Sequence, residues 1–114
     1  MRLGYRRFLA ALSCATLLGC AALGARAWAE APKPTTIVIK DFMFAPMSLT
    51  IKAGSPVVWV NNDDEPHSVI SDSGLFRSGA LDTGEKYSFR FDKPGTYHFL
   101  CSIHPRMAGT IVVQ

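Results

Sequence analysis

From residue 35 to the C-terminus, short runs of β-branched and aromatic residues alternate closely with turn residues, and this pattern most constrains the fold. No stretch between these runs has the apolar spacing of an amphipathic helix. Short strands at such close spacing predict an all-β domain, either a sandwich or a barrel. The predicted strands are residues 35–40, 49–52, 56–60, 67–71, 86–91, 96–101 and 110–113.

The first 29 residues have a different character and predict an export signal. Arginines occupy three of the first seven positions, residues 8–25 are uncharged and mostly apolar, and Ala27-Trp28-Ala29 resembles a signal-peptidase site. We therefore expect a signal peptide at 1–29, a short leader at 30–34 and one domain at 35–114. The folded part is then exported, which in a bacterium means the periplasm.

Two other readings of this segment stay open. Residues 17–20 resemble a bacterial lipobox, in which Cys20 would be lipidated and would hold the protein at a membrane. Alternatively, the 18 residues from 8 to 25 just reach the length of a membrane-spanning anchor. Both alternatives also place the domain outside the cytoplasm.

The distribution of charge argues against a nucleic-acid partner. The whole chain has a formal charge of +3, but four of its twelve Lys and Arg residues lie in the first 29 positions. From residue 30 onward there are eight basic and nine acidic residues, a net charge of −1, with no basic run. A surface that binds phosphates is therefore not expected.

The cysteines limit the chemistry further. Cys14 and Cys20 lie in the predicted signal, so Cys101 is the only cysteine of the domain and cannot form an internal disulfide. A single thiol in an oxidising compartment needs protection, which metal ligation would give. An inert thiol buried in the core is the alternative.

The residues after Cys101 favour a metal. Cys101, His104 and Met107 are spaced three apart on a loop between two predicted strands, and His67 begins another strand 34 residues upstream. Two imidazoles, a thiolate and a thioether form the ligand set of a type 1 copper site, whereas structural zinc does not normally recruit methionine. Strand parity places His98 on the face opposite Cys101, so we expect it not to be a ligand.

Four motifs carry a family resemblance: Ala53-Gly54 before PVVWVNN, Glu65-Pro66-His67, Lys93-Pro94-Gly95-Thr96-Tyr97 and Cys-x-x-His-x-x-Met-x-Gly-x-Ile-Val-Val. Together they resemble the cupredoxin family, and within it the amicyanin and pseudoazurin group. The resemblance covers 35–114 and implies a Greek-key β-sandwich of seven or eight strands, with one copper ion cycling between Cu(I) and Cu(II). Carried over to this sequence, the metal ligands are His67, Cys101, His104 and Met107.

The chain departs from the family pattern beside two of the expected ligands. Ser68 stands where the family often has an asparagine that bridges the ligand loops, and Ile103 stands where amicyanin has proline. The resemblance implies that Cys101 Sγ accepts the backbone N–H of Ser68. Because isoleucine has an N–H and proline has none, we expect Ile103 to donate a second hydrogen bond to the same sulfur. The alternative is that Ile103 is only an apolar residue on the rim of the site.

The resemblance implies one-electron transfer, but it does not identify the redox partner. We expect a monomer whose partners are an electron-donating dehydrogenase, a cytochrome or oxidase acceptor, or both, docking where the edge of His104 reaches solvent. A periplasmic copper carrier or copper-tolerance protein with the same ligands is the alternative. We expect no enzyme activity, since an enzyme needs an open coordination position or a second metal. The acidic run at 63–65 is expected to be a solvated turn.

Overall fold

The computed structural model describes Gly19, Gly24 and residues 30–114. Apart from those two glycines, the predicted export signal, with the lipidation alternative at Cys20, lies outside the described residues. Residues 30–34 are exposed and carry no regular structure. The part of the chain that is described contains no helix long and apolar enough to cross a membrane.

Eight strands build the domain, as the predicted all-β class requires. They are β1 (Thr35–Lys40), β2 (Met43–Ala45), β3 (Ser48–Ile51), β4 (Ser55–Asn61), β5 (Ile70–Ser71), β6 (Lys86–Phe91), β7 (Gly95–Leu100) and β8 (Ala108–Val113). One sheet has the order β2-β1-β4-β6 and the other β3-β8-β7-β5. β1 and β4 are parallel, as are β3 and β8, and the remaining pairs are antiparallel. The result is the expected Greek-key β-sandwich.

The core lies between the two sheets and is built by side chains that alternate inward along each strand. In β4 every second residue is buried, which places Val57, Trp59 and Asn61 on the inner face. The Trp59 ring, fully buried, packs against aromatic residues of both sheets. Its aromatic neighbours are Phe76, Tyr87, Phe91 and Phe99.

The structure corrects two expectations at one end of the sandwich. The three-residue strand β2 was not predicted, and the run at 67–71 forms a strand only at Ile70–Ser71. His67 instead makes an isolated bridge with Leu81. Phe42 is 48% exposed, and positive φ angles of 52° at Asp41 and 58° at Phe42 turn this ring outward.

Candidate metal centre

Three of the four predicted ligands meet at this end of the sandwich. Nδ1 of His67 lies 3.2 Å from Nδ1 of His104, and Sγ of Cys101 lies 3.8 Å and 3.9 Å from these two nitrogens. His67 and Cys101 are fully buried, and His104 is half-buried. The three donor atoms therefore form a nearly equilateral triangle, shielded from water except on the His104 side.

The position of His67 is set by hydrogen bonds on either side of its ring. Its backbone N–H and C=O pair with Leu81 at 3.1 Å and 2.6 Å, which fixes the segment to the chain that precedes β6. Its Nε2 lies 2.8 Å from the Oδ2 of Asp63. The other ring nitrogen, Nδ1, is thereby left to face the donor triangle.

The turn that carries Asp63 is itself held by Asn61, the buried last residue of β4. Asn61 Oδ1 accepts the N–H of Asp63 at 2.9 Å, and Asn61 Nδ2 donates to the carbonyls of Glu65 and Leu81 at 2.8 Å and 2.7 Å. A side chain that satisfies three backbone groups around one turn gives the segment a defined shape. The connection between β4 and His67 is consequently held in one conformation by these hydrogen bonds.

The loop from Cys101 to Met107 supplies the remaining donors. The Cys101 N–H donates to the Met107 carbonyl at 3.0 Å, and the Met107 N–H donates to the His104 carbonyl at 2.9 Å. These bonds close the loop on itself, so that Cys101 and His104 face each other. Met107 ends this loop, three residues after His104. It is 5% exposed and belongs to the same core cluster as Cys101.

The Cys101 sulfur accepts the Ser68 N–H at 3.3 Å, as the resemblance implied. Ser68 also bridges the ligand segments, because its Oγ lies 2.6 Å from Ser102 Oγ and accepts the Ser102 N–H at 2.8 Å. Among the described residues no hydrogen bond from Ile103 reaches the sulfur, so the expected second N–H bond is wrong. Ile103 is instead 44% exposed on the rim of the site.

Phe42 contacts the two histidines of the site, whereas His98 does not. Phe42 stands edge-on against His67 and His104, with ring centroids 5.3 Å and 4.9 Å away. His98 points to the outer face of β7, where Nδ1 lies 3.0 Å from Thr110 Oγ1. His98 is therefore apart from the donor triangle, as strand parity predicted.

Asp63 is the functional residue that the sequence reasoning missed. The acidic run predicts a solvated turn, but Asp63 is only 5% exposed, while Asp64 and Glu65 are exposed. Burial tends to raise the pKa of Asp63, but the N–H groups of Phe42 and Asp41 and the neighbouring His67 together hold it below its ordinary value. No local pattern indicates which of the three acids turns inward.

The donor set fits copper. A triangle with these sides has a centre about 2 Å from each corner, which is the bond length of imidazole nitrogen and close to that of thiolate sulfur on a first-row metal ion. Two imidazoles and one thiolate in a plane, with a thioether nearby, are the donors of type 1 copper. The chemistry of these side chains thus selects copper over calcium or magnesium, which take oxygen ligands.

Comparisons with known proteins agree with this geometry. The family described as Cupredoxin-like domain matches residues 8–113. Amicyanin-alpha from Methylorubrum extorquens is 37% identical over 118 residues, covering 98% of both chains. The crystal structure of amicyanin from Paracoccus versutus superposes with a TM-score of 0.68 at 30% identity, covering 72% of this chain and 82% of that one.

A copper-containing nitrite reductase from Thermus scotoductus also superposes, with a TM-score of 0.68 at 34% identity. The match covers 73% of this chain but only 23% of the reductase. The chain thus resembles one part of that larger enzyme, and the rest of the reductase has no counterpart here. Taken with the family match and the amicyanin relatives, this protein belongs to the cupredoxin family and binds copper.

Proposed function

We propose that this cupredoxin is an exported electron carrier whose single copper ion is held by His67, Cys101, His104 and Met107. The observation that carries the proposal is the triangle of three donor atoms with sides of 3.2, 3.8 and 3.9 Å. The copper ion, when bound, supplies a one-electron couple between Cu(I) and Cu(II). Two features of the chain itself support electron transfer.

The first requirement is that the ligands move little between oxidation states. Asp63 and Leu81 hold His67, Ser68 holds the thiolate of Cys101, and backbone bonds close the loop that carries His104. A preorganised site lowers the cost of reorganisation at the moment of transfer. Rigid ligation therefore favours a rapid electron carrier.

The second requirement is a short path to the surface. His104 is the half-buried corner of the triangle, and around it Ile103, Pro105 and Arg106 are exposed. Together with Phe42 they line one shallow surface cavity. We expect this protein to act as a monomer and to be docked here by an electron-donating dehydrogenase, by a cytochrome or oxidase acceptor, or by each in turn, since redox partners use small, short-lived interfaces.

Export follows from the N-terminal sequence. Residues 1–29 have the arginines, apolar stretch and Ala-x-Ala site of a signal peptide, and cleavage after Ala29 would release the domain at 35–114 into the periplasm. Mass spectrometry of the mature protein tests this part alone. A chain beginning at Glu30 supports it, whereas a lipid on Cys20 would replace the free periplasmic protein with a membrane-held one.

A second candidate function is copper carriage, and one feature favours it. Met43 and Met47 are 53% and 58% exposed and line a cavity of about 200 Å³ together with Met107. Thioethers are soft ligands that suit Cu(I). Exposed methionines beside a proposed ligand could pass copper to or from the site.

One experiment separates the two functions. The mature protein is loaded with Cu(II), its visible spectrum is recorded, and its reduction potential is measured by voltammetry. An intense blue band with a reversible potential, and copper that a mild chelator removes only slowly, support the electron carrier. Rapid loss of copper to the chelator supports the carrier of copper instead, and the absence of a blue band contradicts the proposed type 1 site.

A further inference from the structure

Asp63 is the only acidic residue that is buried among the described residues, and it lies directly behind His67. Its Oδ1 accepts the N–H of Asp41 at 2.7 Å. Its Oδ2 accepts the N–H of Phe42 at 2.9 Å and lies 2.8 Å from Nε2 of His67. Both oxygens of the Asp63 carboxylate therefore have partners, which are two backbone N–H groups and one imidazole.

The contact with His67 determines which ring nitrogen carries the proton. An ionised carboxylate can only accept hydrogen bonds, so Nε2 must be the protonated nitrogen. Nδ1 then has a free lone pair, and it is Nδ1 that lies 3.2 Å from His104 Nδ1 and 3.8 Å from Cys101 Sγ. The carboxylate thus selects the tautomer of His67 that can act as a ligand.

The same contact changes the strength of the ligand. A carboxylate bonded to the far nitrogen of an imidazole raises its basicity, and such partners behind a metal ligand alter metal affinity 10- to 100-fold or so. A more basic imidazole stabilises the higher charge of Cu(II) more than it stabilises Cu(I). A lower reduction potential follows from the presence of Asp63.

The backbone bonds of Asp63 have a separate effect. Asp41 and Phe42 have positive φ angles, a conformation that non-glycine residues adopt at some cost. Two hydrogen bonds to one carboxylate offset this cost and stabilise the turn between β1 and β2. That turn presents the Phe42 ring to His67 and His104.

We propose that Asp63 is a positioning residue that fixes the ligand tautomer of His67 and lowers the reduction potential of the site, while holding Phe42 over the two histidines. The proposal rests on the proposed copper function for its redox part. A residue that only stabilised the turn would leave the tautomer and the potential unchanged. The tests therefore measure those two quantities.

The reduction potential of the copper-loaded parent protein is compared with those of three variants, Asp63→Asn, Asp64→Asn and Phe42→Leu. Asp63→Asn removes the carboxylate charge and keeps the shape, and Asp64→Asn removes the same charge from the exposed neighbour. We expect Asp63→Asn to weaken Cu(II) at least tenfold more than Cu(I), a rise of about 59 mV for a one-electron couple. Asp64→Asn should give a far smaller shift, and equal shifts in the two variants would overturn the proposal.

Phe42→Leu separates the two routes by which Asp63 could act. It removes the aromatic ring but leaves the carboxylate against His67, so its potential should stay close to that of the parent. If Phe42→Leu reproduces the full shift of Asp63→Asn, the effect passes through the ring, and the direct action on His67 is wrong.

The tautomer is measured on the metal-free parent protein, which keeps this arm independent of the copper function and of the folding of any variant. Nitrogen-15 NMR should show His67 protonated at Nε2, with the proton protected from solvent exchange, and unprotonated at Nδ1. A His67 protonated at Nδ1 alone would contradict the proposal. A parent protein without a blue band would remove the copper function and still leave this measurement decisive.

Discussion

Ser68 and Ser102 join the two segments that carry the proposed copper ligands. Their Oγ atoms lie 2.6 Å apart, and Ser68 Oγ accepts the Ser102 N–H at 2.8 Å. Each serine directly follows a donor, Ser68 after His67 and Ser102 after Cys101. The distance between imidazole and thiolate is therefore fixed by the chain and does not depend on the metal alone.

Removing this bridge should loosen the site. In Ser68→Ala the Ser102 N–H and hydroxyl lose their partner, and we expect the free energy of unfolding to fall by about 1–3 kcal/mol. Denaturant unfolding of the metal-free protein measures this loss, and copper should also leave faster to a chelator. Ser88→Ala, at an exposed position of β6, is the control and should change neither quantity. Equal behaviour of the two variants would show that the bridge is not needed.

The thiolate of Cys101 should give the site its colour. Cys101→Ser replaces a soft, strongly bonding sulfur with a poor hydroxyl donor, so the intense blue band should disappear. His98→Ala is the matched control, because His98 contacts Thr110 on the outer face of β7. Absorption spectra of both copper-loaded variants decide the matter. A Cys101→Ser protein that remains intensely blue is incompatible with the assigned ligands.

The strands and the ligand loop could be predicted because their signals are local. β1 and β6 begin and end where the sequence predicted, since alternation and turn residues mark both ends. Cys101 and His104 lie three residues apart on one closed loop, so spacing alone brings them together. His67 is distant in sequence, and it could be predicted because the ligand set needs a second imidazole and strand parity turns His98 away. The resemblance to cupredoxins implies the same residue.

The remaining features depend on contacts that no local pattern reports. Phe42 is an ordinary aromatic residue in the sequence, and it faces outward because the Asp63 carboxylate stabilises a left-handed turn. β2 is three residues long and lies directly after that turn, too short for a period of two to be visible. Asp63 turns inward because Asn61 Oδ1 accepts its N–H and so shapes the turn. Both residues are polar, and polar residues in this position are typical of a solvated loop.

Met107 should tune the potential without being needed for colour. A thioether would be a weak donor to the copper ion and would help Cu(II) slightly, so Met107→Leu should retain copper and the blue band. We expect the reduction potential to rise on the order of 60 mV, which is a tenfold change in relative affinity for a one-electron couple. Voltammetry of Met107→Leu beside Met47→Leu, an exposed methionine, tests this. An equal shift in both variants would remove Met107 from the ligand set.

Gly109 should stabilise the sandwich because it leaves room for the ring of Phe99. It pairs with Phe99 across β7 and β8, and a Cβ built at Gly109 would clash with Cζ of that ring. The ring is 1% exposed and packs against Phe44 and Trp59 at centroid distances of 4.8 Å and 5.5 Å, so it has no free space to move into. Overpacking of this kind costs about 1–3 kcal/mol.

We therefore expect Gly109→Ala to lower the free energy of unfolding of the metal-free protein by that amount, measured with denaturant. Gly79→Ala is the control, because a Cβ at Gly79 meets no atom within 4 Å and its backbone needs no glycine. Phe99→Leu shortens the ring side chain and should relieve the clash, so the double variant should be more stable than the sum of the two single losses predicts. Strict additivity would mean that Gly109 is required for its backbone alone and that the Phe99 ring is not the reason.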